Sequence, residues 1–288
     1  MTKKKKKNQE PQKKWGQTIK KEPLAQESEF ANDGNLMTFG GHLEVFRQMI
    51  FRILGVAGII AIVVFCMKDI TWQVLMAPSE WDFCTYRWIE SVLQSLGIEF
   101  NFEEYHVNLI ATDLSSQFMT HITTAIYLGL LGSSPYILYE LFSFISPALY
   151  ENERRYSVQV AGTIYLLFIF GVLMSYFVLF PISFRFLGTY SVSSKVVSNI
   201  TLDSYISTFV SLTLVMGLVF QLPVIAFFLG KMKIVNSATL AHYRKHSFII
   251  IMFIAAIITP PDLMTLILVT IPLYLLYEMS IRVVKWVE

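Results

Sequence analysis

Six carboxylates stand at or near the ends of apolar runs in this chain, and they are the residues best placed to do chemistry. Glu44 precedes the first long run, Glu140 closes the second, and Glu151 and Glu153 occupy the charged stretch after it. Asp262 opens the last run, and Glu278 lies sixteen residues further on, about 24 Å along a helix. An ionisable group in such a place is a functional candidate because burying it without a partner is costly. It can accept hydrogen bonds from a cationic ligand, or it can tie one helix to another. Glu153 could instead pair with Arg154 or Arg155 in a solvated loop, and Glu140 and Glu278 could make structural bonds between helices.

Bond-making chemistry finds no support. There is no HExxH, no GxSxG, no Walker loop and no paired CxxC. His242 and His246 lie four apart in HYRKH and would share one helical face, but their flanks are basic and no carboxylate or thiol is nearby. An interfacial helix end is the better account than a metal site. No repeated pair of broken helices marks an ion site of the transporter kind. The expectation is a protein that binds, with no cofactor, no metal and no enzymatic activity.

The elements that must hold these carboxylates are membrane helices. The chain is 54% hydrophobic and only 15% charged, with mean hydropathy +0.53, against roughly 25% charged in ordinary soluble proteins. Apolar runs of spanning length cover residues 48–67, 117–141, 158–180 and 206–230. Two shorter runs, 248–258 and 263–277, the second extending less clearly to 284, rise about 17 and 23 Å, short of a hydrocarbon core of about 30 Å. Thr259-Pro260-Pro261-Asp262 joins them and can only be a turn, since neither proline donates a backbone hydrogen bond. A short transmembrane hairpin is expected, with a re-entrant loop as the alternative.

Positive charge orients these runs. Lys and Arg gather in the N-terminal tail through Arg52, at Arg154 and Arg155, at Lys231, Lys233, Arg244 and Lys245, and at Arg282 and Lys285, leaving only Lys68, Arg87, Arg185 and Lys195 for the other side. The expected fold is an all-α integral membrane protein of six transmembrane helices with both termini in the cytoplasm and short helices five and six. Residues 1–36, rich in lysine and poor in apolar residues, are expected to be a disordered cytoplasmic tail ahead of a membrane domain over 37–288. Attraction of this tail to anionic lipid or RNA is an alternative to a solubilising, topology-setting role. No nucleic-acid module is present. The external loop 68–116 is acidic, and TYRWIESVLQSLGIEF within it has helical spacing. Cys66 and Cys84 could pair, although two separate buried thiols are the simpler reading.

Several stretches together carry a family resemblance: GHLEVFRQMIFRIL from Gly41, ATDLSSQF from Ala111, SPYILYELFSFISPALYENERR from Ser134, SYFVLFP from Ser175, GLVFQLPV from Gly217 and ITPPDLMTLILVTIPLYLLYEMSI from Ile258. In these the chain resembles the TatC family, the multi-spanning receptor subunit of the twin-arginine, Sec-independent protein translocase. The short final hairpin is also a family trait. The resemblance implies a bacterial inner-membrane protein that binds signal peptides carrying consecutive arginines. It would assemble with TatA-type and TatB-type single-span partners and with further copies of itself, and export folded proteins using the proton-motive force. A guanidinium presents a planar fork matched to a carboxylate, so paired arginines call for oriented carboxylates.

By position, the resemblance assigns signal-peptide binding to Glu153, Phe144, Pro147, Arg154 and Arg155, and to His42, Arg47 and Glu44 before the first span. Here Val45 stands where the family has a second recognition glutamate, and Glu44 is one residue early, about 100° away around a helix. Thr259, Asp262 and Glu278 match positions of the surface where a partner helix is thought to dock, with Leu266 where glutamine is often found. Gln221, at a position that can be glutamate in relatives, and Pro223 two residues on imply a kink in the fourth span. The short helices five and six imply local thinning of the bilayer. The alternative function is a proton-coupled small-molecule transporter using Glu140, Gln221 and Glu278, which calls for a central cavity lined by all three.

Overall fold

The computed structural model describes residues 39–99, 102, 104–105, 107–145, 157–191, 193, 199–259 and 262–288, with backbone alone for residues 39, 42, 145 and 157–160. The tail, the loop with Pro147, Glu151, Glu153, Arg154 and Arg155, and the Pro260-Pro261 turn lie outside these residues.

The described residues are overwhelmingly helical, as expected. In chain order the helices are α1 (Phe39–Cys66), α2 (Lys68–Met76), α3 (Cys84–Ser95), α4 (Ser116–Gly132), α5 (Ser134–Ile145), α6 (Ser157–Met174), α7 (Phe180–Thr189), α8 (Leu202–Val219), α9 (Leu222–Lys231), α10 (Ser237–His242), α11 (Arg244–Ile258) and α12 (Leu263–Val287). Among the described residues the one departure is a two-residue parallel pairing of β1 (Leu109–Ile110) with β2 (Ile200–Thr201), which ties the loop before α4 to the loop before α8. Four stretches are long and apolar enough to cross a membrane: Leu43–Cys66, Ala161–Thr189, Leu202–Lys231 and Leu263–Val287.

Proline explains most of the breaks. The second expected span divides at Ser133 into α4 and α5, two residues before Pro135, yet Ser133 N donates to Gly129 O at 2.9 Å and Ile137 N to Ser133 O at 2.9 Å, so the backbone stays paired through the joint. Pro223 sits in the first turn of α9, after a two-residue turn at Phe220 and Gln221. The helix breaks where the kink is expected. Pro181 follows a five-residue π-turn, Ser175–Leu179, between α6 and α7. A proline cannot serve the carbonyl four residues before it, which leaves the Phe177 oxygen open, and the Thr85 hydroxyl of α3 donates to it.

The sixth helix corrects the sequence reading. Glu278, Arg282 and Lys285 interrupt the apolar run, but α12 continues through them for 25 residues, about 37 Å. In a bilayer an α-helix satisfies its own backbone whatever the side chains carry. Only α11, with 15 residues or about 22 Å, remains short. HYRKH is a second correction: α10 ends at His242 and α11 starts at Arg244, so the two histidines do not share one continuous helix, and Tyr243 packs edge-on to both rings. Cys66 and Cys84 are free and exposed rather than buried.

The core lies among α7, α8, α11 and α12, where Phe180, Tyr205, Leu212, Met216, Ala255, Val269 and Leu273 are nearly or fully buried. Helices in lipid gain little from apolar burial alone, so close backbone approach and van der Waals packing hold them. A Cβ on Gly217 would meet the Phe168 ring at 2.7 Å, and one on Gly171 would meet Met216 O at 2.6 Å, which fixes the α6–α8 crossing. The helix expected within 85–100 is present as α3 (Cys84–Ser95). Its Tyr86 hydroxyl donates to Pro181 O at 2.8 Å, and the Arg185 guanidinium lies 5.1, 4.3 and 4.6 Å from the rings of Tyr86, Phe102 and Tyr105. Burial, and then the hydroxyl contact with Tyr105, push the Tyr86 phenol above its usual range, so the phenol stays neutral beneath the charged Arg185.

Helix α1 contrasts with all of this. Only 11% of its apolar stretch is buried within the protein, against 39% for Ala161–Thr189 and for Leu202–Lys231 and 44% for Leu263–Val287. Its inner seam is Met49, Ile53, Ala57, Ala61 and Val64, at helical spacing. Ala57 and Ala61 meet α4 where a Cβ on Gly129 would lie 2.8 Å from Ala57 O. Beyond that crossing, the Phe65 ring stacks on His121 at 4.3 Å.

Candidate functional site

The described site residues fall into three groups. The first lies where α1 meets α5. Phe144 is half-buried with its ring centroid 5.6 Å from Phe46. One turn earlier on α5, Glu140 Oε1 accepts from Arg52 Nη1 at 3.1 Å and from the Tyr136 hydroxyl at 2.7 Å. The Glu140 side chain is 10% exposed and that of Arg52 53%. Arg47 and Glu44 lie exposed on α1, whereas Val45 is half-buried. The apolar residue thus takes the more sheltered position and the carboxylate the open one.

The second group is at the α8–α9 break. Gln221 is 9% exposed, and its Nε2 donates to Ile164 O at 3.1 Å. Its Oε1 has no hydrogen-bond partner among the described residues.

The third group follows α11 into α12. Thr259 is buried and donates to Ala255 O at 3.0 Å. Asp262 caps α12, accepting from Thr265 N at 2.7 Å. Leu266 packs half-buried against the core rather than outward. At the other end of α12, the Glu278 carboxylate takes both arms of one guanidinium, with Arg244 Nε 2.8 Å from Oε1 and Arg244 Nη2 donating to Oε2 at 2.9 Å. The Tyr274 hydroxyl donates to Oε1 at 3.3 Å.

Glu140 and Glu278 are therefore interhelical ion-pair residues, the structural role weighed for them above. Their partners, Arg52, Arg244, Tyr136 and Tyr274, were missed by sequence reasoning. A signal for them does exist: YILYE at 136–140 and YLLYE at 274–278 repeat one pattern, with a tyrosine one turn before the glutamate in each. Among the described residues, Glu140 bonds to Arg52 and Tyr136, Gln221 to Ile164 O, and Glu278 to Arg244 and Tyr274, with no partner shared, unlike the common cavity a transporter would need.

The profile of the TatC family, described as Sec-independent protein translocase protein (TatC), matches residues 41–272. The TatC protein of Blattabacterium sp. subsp. Periplaneta americana (strain BPLAN) is 33% identical over 261 residues, covering 89% of this chain and 98% of that protein.

The chain belongs to the TatC family.

TatCy of Bacillus subtilis (strain 168) is 38% identical over 183 residues, 64% of this chain and 72% of that one. The crystal structure of the twin arginine translocase receptor TatC superposes with a TM-score of 0.68 at 29% identity, covering 85% of this chain and 99% of that one. The three groups are thus parts of a TatC-type, multi-pass component of a protein translocase.

Proposed function

We propose that this chain is the receptor and scaffold subunit of a twin-arginine translocase. It crosses the bacterial inner membrane six times with both termini in the cytoplasm. It binds signal peptides that carry consecutive arginines, assembles with TatA-type and TatB-type partners, and supports export of folded proteins driven by the proton-motive force. The observation that carries this reading is the family match over residues 41–272, which takes in the first five motifs whole and the last as far as Pro272. Glu153 is the principal arginine acceptor, with Glu44, His42, Arg47, Phe144, Pro147, Arg154 and Arg155 forming its surroundings. A partner helix docks on the α11–α12 face that includes Thr259, Asp262, Leu266 and Glu278. With α12 at full length, thinning of the bilayer falls to α11 alone.

The test uses cells whose own TatC is deleted, supplied with this chain and its neighbouring small partners, and a folded fluorescent reporter with a twin-arginine signal. Export is expected, and Glu153→Ala or replacement of both signal arginines by lysine lowers it by about tenfold or more. Export that ignores both changes overturns the reading. Solute uptake by the purified chain alone supports the transporter instead.

A further inference from the structure

The Arg52–Glu140 contact is an unusual way to hold a buried carboxylate. Glu140 is almost fully covered, yet its guanidinium partner touches a single oxygen, is itself half-exposed, and rides on the least buried of the four spanning-length stretches. Tyr136 adds a neutral donor on that same oxygen. The equivalent carboxylate on α12 is gripped through both oxygens by Arg244. Glu140 also lies one helical turn from Phe144, whose ring meets Phe46 where α1 and α5 come together.

Removing a cation from a buried carboxylate is strongly unfavourable, but exchanging one guanidinium for another leaves the charge compensated throughout. Arg52 can leave this site without unfolding anything, since half of its side chain already faces out. A lysine would make a poorer exchange, because its compact ammonium cannot reproduce the planar fork and is more strongly hydrated.

We propose that Glu140 is a second arginine-recognition carboxylate and that Arg52 is its built-in occupant, displaced when an arginine of a docked signal peptide enters beside Phe144. The displaced Arg52 turns toward water or lipid phosphates, and α1 loses its charged tie to α5. This inference rests on the twin-arginine reading above and gives that reading a specificity-determining residue within the bundle.

The test measures the affinity of the full chain in lipid nanodiscs for a twin-arginine signal peptide and for its twin-lysine counterpart. Arg52→Gln removes the competitor, so twin-arginine binding tightens by about threefold or more while twin-lysine binding hardly changes. Glu140→Gln weakens twin-arginine binding by about tenfold and narrows discrimination against lysine. The exchanged pair, Arg52→Glu with Glu140→Arg, keeps an ion pair and hence the fold, but moves the carboxylate off α5. A purely structural role keeps wild-type affinity in this variant, whereas the proposal requires it to fall. Unchanged twin-arginine affinity in the exchanged pair, with Glu153→Gln still abolishing binding, overturns this inference alone. Unchanged affinity in Glu153→Gln as well overturns the twin-arginine reading with it.

Discussion

Two ion pairs in this protein share a local sequence and differ in how the arginine grips the carboxylate. In both, a tyrosine precedes a glutamate by one turn in a YxLYE pattern, and an arginine from another helix completes the site. On α12 the arginine of the neighbouring α11 binds with two arms, one to each carboxylate oxygen; on α5 the arginine of α1 binds with one arm to a single oxygen. The same pentapeptide can therefore serve as a fixed brace or as an exchangeable contact. The number of carboxylate oxygens that the arginine grips decides between them.

The comparison breaks most visibly at the α1–α4 crossing. If small residues rather than charge hold α1, Gly129→Leu should cost about 3 kcal/mol of attachment, since even a Cβ would strike the Ala57 carbonyl. Spin labels on α1 and α4 should then report a longer, broader distance distribution. Next in size, Glu278→Gln should lower stability by about 1–2 kcal/mol, a figure held down by the exposure of Arg244. Thermal unfolding in detergent measures it, and a double-mutant cycle with Arg244 should return most of the loss as coupling. For Arg52 with Glu140, gripped through one oxygen, the cycle should return less coupling than for Arg244 with Glu278. Equal coupling in the two cycles would erase the distinction between brace and exchangeable contact.

The smallest effect concerns the chain's last residue. Glu288 accepts from Ser237 N at 2.5 Å and Ser237 Oγ at 2.6 Å, and these bonds hold its carboxyl below the usual range. A depressed folded value means the tie is present above the unfolded carboxylate pKa and lost as pH falls through the lower folded one. Amide exchange at Ser237 should therefore rise on acidification relative to its intrinsic rate, and Glu288→Gln should flatten that dependence. This is a third kind of carboxylate contact, fully solvated and correspondingly weak.

Much of this fold was legible because membrane helices follow local rules. Apolar length located three of the four spanning-length stretches directly, Pro223 located the α8–α9 break, and apolar spacing located α3. What escaped was set by contacts between distant residues. Nothing near Phe177 reveals that Thr85, 92 positions earlier, caps its carbonyl, and nothing near Arg52 reveals Glu140, 88 positions on. The length of α12 was underestimated because apolar run length was taken for helix length, although Glu278 finds Arg244 and the backbone needs no apolar side chain to stay helical. In the candidate site, the candidate carboxylates were legible as types out of place; their arginine partners were not.

The central claim is that carboxylates at the cytoplasmic edge read paired guanidinium groups, and its most direct test is a photoreactive side chain at position 153. With the full chain in native membranes, it should crosslink a twin-arginine signal peptide strongly and its twin-lysine counterpart weakly or not at all. Equal crosslinking to the two peptides would contradict the account.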